Sequence, residues 1–205
     1  MSDKLILFTH PRSRGRIARR MLEELGVDYE ARVLEYGTHK EELLKYNPMG
    51  KFPTLLHGET VVTEAAAIIT YLADAFCEKG LAPDVGSKER GTYYRWLYFA
   101  SGPMEAAIID KVLGVNIDAE KKAFVGYGCY DDVVATLDKK LSADEYVLGD
   151  RFSAADVYVG SSVHFGLQFK TLPELPSFER YAKQIFSREA FIRSEAIDDR
   201  LLGIK

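Results

Sequence analysis

A chain of 205 residues, 47% of them hydrophobic, can form one large or two small domains, each with its own core. Its formal net charge of −4 argues against charge-driven binding to nucleic acid or to an anionic membrane, and no apolar run approaches the roughly 20 residues that a bilayer span needs. Two cysteines, Cys77 and Cys129, make no disulfide framework and no metal-ligand spacing, and the opening Met-Ser-Asp-Lys carries no signal-peptide pattern, so a cytoplasmic, reduced, metal-free protein is expected.

Leu5-Ile-Leu-Phe8 is a continuous apolar run and reads as a buried strand. The polar turn Thr9-His-Pro-Arg-Ser-Arg-Gly15 follows, then Ile17, Met21, Leu22 and Leu25 at helical spacing, with Gly26 as the stop. Tyr29 to Leu34 is strand-like, which completes a unit of βαβ size. Glu41 to Tyr46 suits a short helix ended by Asn47-Pro48. Pro53 to Leu56 and Thr60 to Val62 flank the turn His57-Gly-Glu as a hairpin, and Ala65 to Phe76 is an apolar-faced helix. The arginines at 12, 14, 16, 19 and 20 suit either a solvated helix face or the positive rim of an anion pocket. The histidines at 10, 39, 57 and 164 are scattered and suggest no ligand set.

Residues 78–87 have linker composition, with two glycines, a proline and several charges. After them the chain reads helical: Lys88 to Ala100, Glu105 to Leu113, Glu120 to Leu141, Ser153 to Phe165 and Ser177 to Phe186. Phe152-Ser-Ala-Ala-Asp156-Val157 is a capping box with a hydrophobic staple, so Asp156 is read as structural rather than catalytic. Three parts are expected: 1–77 with order β-α-β-α-β-β-α, the linker 78–87, and an all-helical domain over 88–205.

The stretch Gly50-Lys-Phe-Pro53-Thr-Leu-Leu-His-Gly-Glu-Thr-Val-Val-Thr-Glu64-Ala65-Ala-Ala-Ile68 is the most informative. A proline heading a strand has no N–H to give, so it belongs at an edge or special bend, and a cis Phe52–Pro53 bond would leave the Phe52 backbone open to a ligand. Glu64 and the N–H groups of the helix behind it suit the ammonium and carboxylate of an α-amino-acid group. This pattern resembles the cytosolic glutathione transferases, whose motif is Val/Ile-Pro followed by Glu/Gln-Ser-x-Ala-Ile. Ser13 to Gly26 is similar to that family's first helix, and Asn47 to Pro53 to its approach to the cis proline.

The resemblance covers nearly the whole chain. It implies an α/β thioredoxin-like N-terminal domain that binds glutathione, followed by an all-α C-terminal domain lining an electrophile site. It implies glutathione as co-substrate, a homodimer and a detoxifying transferase that stabilises the glutathione thiolate and adds it to a small hydrophobic electrophile. Other readings are a non-catalytic binding or regulatory protein and a glutathione-dependent disulfide or peroxide reductase. Ser13 is the expected hydrogen-bond donor to sulfur, with Thr9 and Arg14 as alternatives. No Tyr or Cys lies in residues 1–28 to take that role. Phe52 and Pro53 would present the cysteinyl edge, Lys51 would reach the glycyl carboxylate with His39 or Lys40 beside it, and Glu64 would hold the γ-glutamyl ammonium. Ala65 departs from the family's usual Ser, so only its backbone N–H can serve the γ-glutamyl carboxylate. The aromatics Tyr93, Tyr94, Trp96, Tyr98 and Phe99, with Phe165 and Phe169, are divided between core and electrophile pocket.

Overall fold

A computed structural model describes residues 4–37 and 40–203. Residues up to Gly80 and from Ser187 onward form one compact unit, and Leu81–Phe186 form the other. The first unit holds four strands, β1 (Leu5–Thr9), β2 (Glu30–Val33), β3 (Thr54–His57) and β4 (Thr60–Thr63), in the order β2-β1-β3-β4. β1 pairs parallel to β2 and antiparallel to β3, and β3 pairs antiparallel to β4. Helices α1 (Gly15–Leu25), α2 (Lys40–Leu44) and α3 (Ala65–Ala75) complete the thioredoxin-like arrangement that the sequence implies.

Strand alternation builds two apolar layers. Leu7 faces Leu55 across β1 and β3, and both are fully buried, as are Ile17, Met21 and Leu22 of α1 and Ile68, Ile69 and Leu72 of α3. The neighbouring positions build a second cluster of Phe8, Leu34, Leu43 and Leu56, against which Ile6, Tyr46 and Phe52 pack. Phe52 is therefore held by the core beneath the sheet while its backbone stands just ahead of the start of β3.

The second unit consists of α4 (Lys88–Phe99), α5 (Glu105–Leu113), α6 (Tyr130–Ala143), α7 (Ala154–Gln168) and α8 (Pro176–Phe186). A π-helical turn over Ala100–Met104, with Pro103 inside it, joins α4 to α5 where the sequence suggested a break. The helix expected from Glu120 starts only at Tyr130: Gly128 takes φ 70° and Cys129 is extended, so the preceding residues turn instead of winding. The capping box of α7 is present. Asp156 Oδ2 accepts from the Ser153 N–H and hydroxyl, both at 2.9 Å, while Oδ1 accepts from the Val147 N–H and the Tyr181 hydroxyl, both at 2.8 Å. Asp156 is wholly buried, which pushes its carboxyl upward against those four donors, and it joins α7 to α8 as structure. Tyr93 and Trp96 are core, whereas Tyr98 and Phe169 are exposed.

A ninth helix, α9 (Glu189–Leu201), belongs with the first unit and packs on α1, so the expected helical domain over 88–205 ends at Phe186 in the structure. The contact also decides the arginine cluster. Arg19 and Arg20 are buried, neither solvated nor on a pocket rim. Arg19 Nε donates to Asp198 Oδ1 at 3.0 Å, Arg20 to Glu195 at 2.6 Å, and Arg16 to Glu195 and Asp199 at 3.0 and 3.1 Å. Arg188 grips Glu24 with two bonds of 2.6 and 2.9 Å. Burial pushes the Asp198 carboxyl up against the pull of Arg19 and Arg16, and pushes the Arg20 guanidinium down against Glu195. Desolvation opposes the ionised state on both sides, so the network's main consequence is the penalty for breaking it. Asp198→Ala should cost about 3–5 kcal/mol of unfolding free energy by urea denaturation, and Arg19→Met added to it should recover a large part of that loss.

Candidate functional site at the end of the sheet

The pairing registers bring the motif residues to one edge. Along β1 and β3, Phe8 lies opposite Thr54, so the chain leaves β1 through Thr9 and His10 at the end where Phe52 and Pro53 lead into β3. Along β3 and β4, Thr54 lies opposite Thr63, so Pro53 and Glu64 flank the ladder at the same end. The C-terminal end of β1, the start of β3 and the end of β4 therefore coincide, and both α1 and α3 begin there. Ligands of α/β sheets favour such an end, where loops diverge and helix N-termini point outward.

The Phe52–Pro53 bond is cis, as the sequence suggested. Asn47 builds the approach: its Nδ2 donates to the Lys51 carbonyl and to Thr54 Oγ1, each at 3.0 Å, and its Oδ1 accepts from the Met49 N–H at 3.0 Å. Pro53 is buried, Phe52 half-buried, and the side chain of Lys51 exposed. His39 and the side chain of Lys40 lie outside the described residues.

Glu64 has φ 65° and ψ 122°, a conformation that costs a non-glycine residue about 1–3 kcal/mol. It is exposed, and its side chain does not cap α3. The helical ladder begins with Ile68 N–H donating to the Glu64 carbonyl at 2.9 Å, so the N–H groups of Ala65, Ala66 and Ala67 precede it. Strain at an exposed carboxylate beside a helix mouth is what a binding role would leave behind.

Of the nine described helices, all but α1 and α3 carry an acidic residue in the first turn. A carboxylate there neutralises the positive end of the helix dipole. At this sheet end α1 keeps its positive end, with Arg14 at its N-cap, which favours an anionic ligand, whereas α3 carries the Glu64 carboxylate at its N-cap.

Ser13 lies in the turn ahead of α1 and is half-buried. Its hydroxyl donates to the His10 carbonyl at 2.6 Å and accepts from the Gly15 N–H at 3.0 Å. The same carbonyl accepts the Ser13 N–H at 3.0 Å, so the hydroxyl proton can turn to another acceptor without orphaning the carbonyl or moving the oxygen. Thr9 differs: it is fully buried and its Oγ1 has no hydrogen-bond partner. A Cβ on Gly15 would stand 2.0 Å from that oxygen and 2.9 Å from Ser13 Oγ, so glycine is what lets α1 start against the strand. Arg12 and Arg14 are exposed on the same turn. Two supporting residues, Asn47 and His10, have roles that reading along the chain misses. Asn47 carries the weak signal of an Asn-Pro turn start, and His10 carries none. Among the described residues there is no cluster of His, Cys, Asp and Glu that could hold a metal ion, and both cysteines are free. No described helix is long and apolar enough to cross a membrane.

The family model "Glutathione S-transferase, N-terminal domain" matches residues 7–80. Glutathione S-transferase Z2 of Arabidopsis thaliana is 30% identical over 191 residues, which span 85% of this chain and 84% of the relative. The structure of a glutathione transferase of Phanerochaete chrysosporium in complex with oxidized glutathione superposes with a TM-score of 0.80 at 25% identity, covering 97% of this chain and 98% of that one. A sphingomonad glutathione S-transferase complexed with glutathione superposes with a TM-score of 0.77 at 27% identity, covering 94% and 98%.

Gly15→Ala should cost about 1–3 kcal/mol in a denaturant titration, because the β-branched Thr9 cannot swing clear of the new methyl. Thr9→Ala in the same chain removes the obstructing oxygen and should recover part of that loss.

Proposed function

The chain belongs to the glutathione S-transferase family, and from that premise we propose that it binds glutathione along the Phe52–Pro53 edge, holds the thiol as thiolate at the mouth of α1, and adds it to a small hydrophobic electrophile. The observation that carries the reading is the convergence at one sheet end of a cis-proline edge, a strained exposed Glu64 and two helix N-termini without first-turn carboxylates. An extended tripeptide with a free α-amino-acid end and a thiol needs these parts together. Phe52 offers its backbone N–H and carbonyl to the cysteinyl residue. Lys51 reaches the glycyl carboxylate. Glu64 pairs with the γ-glutamyl ammonium, and the Ala65 N–H with the carboxylate beside it.

The chemistry asked of the protein is to favour thiolate over thiol. A free thiol has a pKa near 8.5, so lowering it by two units takes about 2.7 kcal/mol of preferential thiolate binding. In this reading the α1 dipole, the exposed Arg12 and Arg14, and one hydroxyl donor share that task. Ser13 is the donor we assign, because its hydroxyl proton can be re-aimed while the Gly15 N–H keeps the oxygen in place. The full burial of Thr9 argues against that residue. Family membership supports a cytoplasmic homodimer serving detoxification.

Glu64→Gln should preserve the fold and weaken glutathione binding by about 1.5–3 kcal/mol in calorimetry, the range for a charge-assisted bond. Its companion Ala65→Ser should tighten binding, since a hydroxyl joins the N–H at the γ-glutamyl carboxylate. An unchanged dissociation constant in Glu64→Gln would reduce Glu64 to a helix-end charge.

Ser13→Ala should move the ultraviolet titration of the bound thiol to higher pH and slow conjugation at neutral pH, with little change in glutathione affinity. Thr9→Val should leave that titration where it is. Movement in Arg14→Ala with none in Ser13→Ala would assign the donor to the guanidinium.

A further inference from the structure

His10 joins the two halves of this site. It is buried, and its ring packs on Tyr36, with centroids 4.5 Å apart; Tyr36 in turn meets Phe52 edge-on at 5.7 Å, and His10 and Phe52 lie nearly parallel at 6.4 Å, so the three rings form one cluster. The Tyr36 hydroxyl donates to the Arg12 carbonyl at 3.3 Å, so Tyr36 clasps both the ring and the turn that follows it. His10 Nδ1 accepts from the Arg12 N–H at 3.1 Å, and its carbonyl accepts from the Ser13 N–H and hydroxyl. The bond from Arg12 sets the tautomer: a neutral ring that accepts at Nδ1 carries its proton on Nε2, which lies 3.5 Å from Glu35 Oε2. A phenylalanine would fill the space but leave the Arg12 N–H without its acceptor. An asparagine can offer an oxygen near the Nδ1 position but has no ring to set against Phe52.

We propose that His10 is a positioning residue that ties the Ser13 turn to the Phe52 edge, its Nδ1 lone pair fixing the turn and its ring, clustered with Tyr36 and Phe52, fixing the edge, so that the thiol donor and the peptide-binding backbone meet one glutathione molecule in a single register. The assignment rests on the reading that glutathione lies at Phe52 with its sulfur at Ser13. The two functions of the ring are separable by substitution. His10→Phe keeps the ring face and deletes the acceptor, so the bound-thiol titration moves to higher pH and kcat falls, while the glutathione KM stays within about twofold. His10→Asn keeps an acceptor and deletes the ring, so the titration stays near that of the unaltered protein, while the glutathione KM rises. Each change should be roughly threefold to tenfold, the range one hydrogen bond or one ring contact supports.

That reciprocal split is the expected result, and a residue that merely stabilises the fold would not produce it. Variants that lose kcat and KM together with an unmoved titration, or that change neither, overturn the assignment. Nitrogen-15 NMR of the imidazole in the unaltered protein gives a readout free of any folding defect: a proton on Nε2 at neutral pH supports the role, and a proton on Nδ1 overturns it. The two levels of inference fail differently. An unaltered protein that does not bind glutathione overturns both. One that turns over and shows the Ser13→Ala shift, yet no His10 split, overturns His10 alone.

Discussion

Helix α1 is held from two sides by opposite chemistry. One face gives Ile17, Met21 and Leu22 to the sheet and α3; the other gives Arg16, Arg19 and Arg20 to the carboxylates of α9. The apolar side supplies the driving force, since each of those side chains is worth about 1.5–3 kcal/mol on burial. The ionic side supplies less net stability, because desolvation offsets much of the attraction, but it is unforgiving of error. A rotation of α9 by one residue would leave Asp198 buried without Arg19. Tyr29 extends the lock: it receives a bond from Arg19 and donates to Glu23, and its burial pushes the phenol up to about 12. The N-terminus of α1 is thus presented by a helix whose rotation and depth are fixed away from the site.

What the site offers a ligand follows from that fixed frame. Antiparallel register, with Phe8 opposite Thr54 and Thr54 opposite Thr63, brings the end of β1, the start of β3 and the end of β4 to one edge, with no need for the loops to find each other. Gly15 lets α1 begin against the end of β1 because no Cβ stands in the way of Thr9. Asn47 uses its amide and oxygen to shape the residues before Pro53. The missing first-turn acid on α1, capped by Arg14, leaves positive potential at its mouth, while α3 sets the Glu64 carboxylate at its own. Strain at Glu64 fits the same picture, in which local stability is given up where a carboxylate must face outward.

The two halves of the chain are not equally legible. The part of the first unit up to α3 can be read because its signals are local: Leu5 to Phe8 is a strand by its apolar run, Gly26 a stop by its freedom at φ 63°, and Pro53 a special bend by its missing N–H. The helix after Cys129 reads too long because a helical spacing of valines and leucines carries no mark for where winding begins; Gly126 and Gly128 carry it. Helix α9 is hidden for a different reason. Its inward face includes Ser194 and Asp198, so the apolar period that announces a buried helix is broken by polar residues that face arginines.

By itself the sequence determined the element order up to α3, the cis-proline edge and the capping box at Ser153. Each depends on neighbours a few positions apart or on one residue's covalent geometry. Only the tertiary structure decided that Arg19 and Arg20 are buried and, with the half-buried Arg16, partner α9, that Thr9 is sealed while the Ser13 hydroxyl can be re-aimed, and that His10 clusters with Tyr36 and Phe52 beside the turn. These depend on which distant segment arrives at a side chain. Arg19 and Asp198 are 179 residues apart, a separation that leaves no periodic or local trace for a reading along the chain to detect.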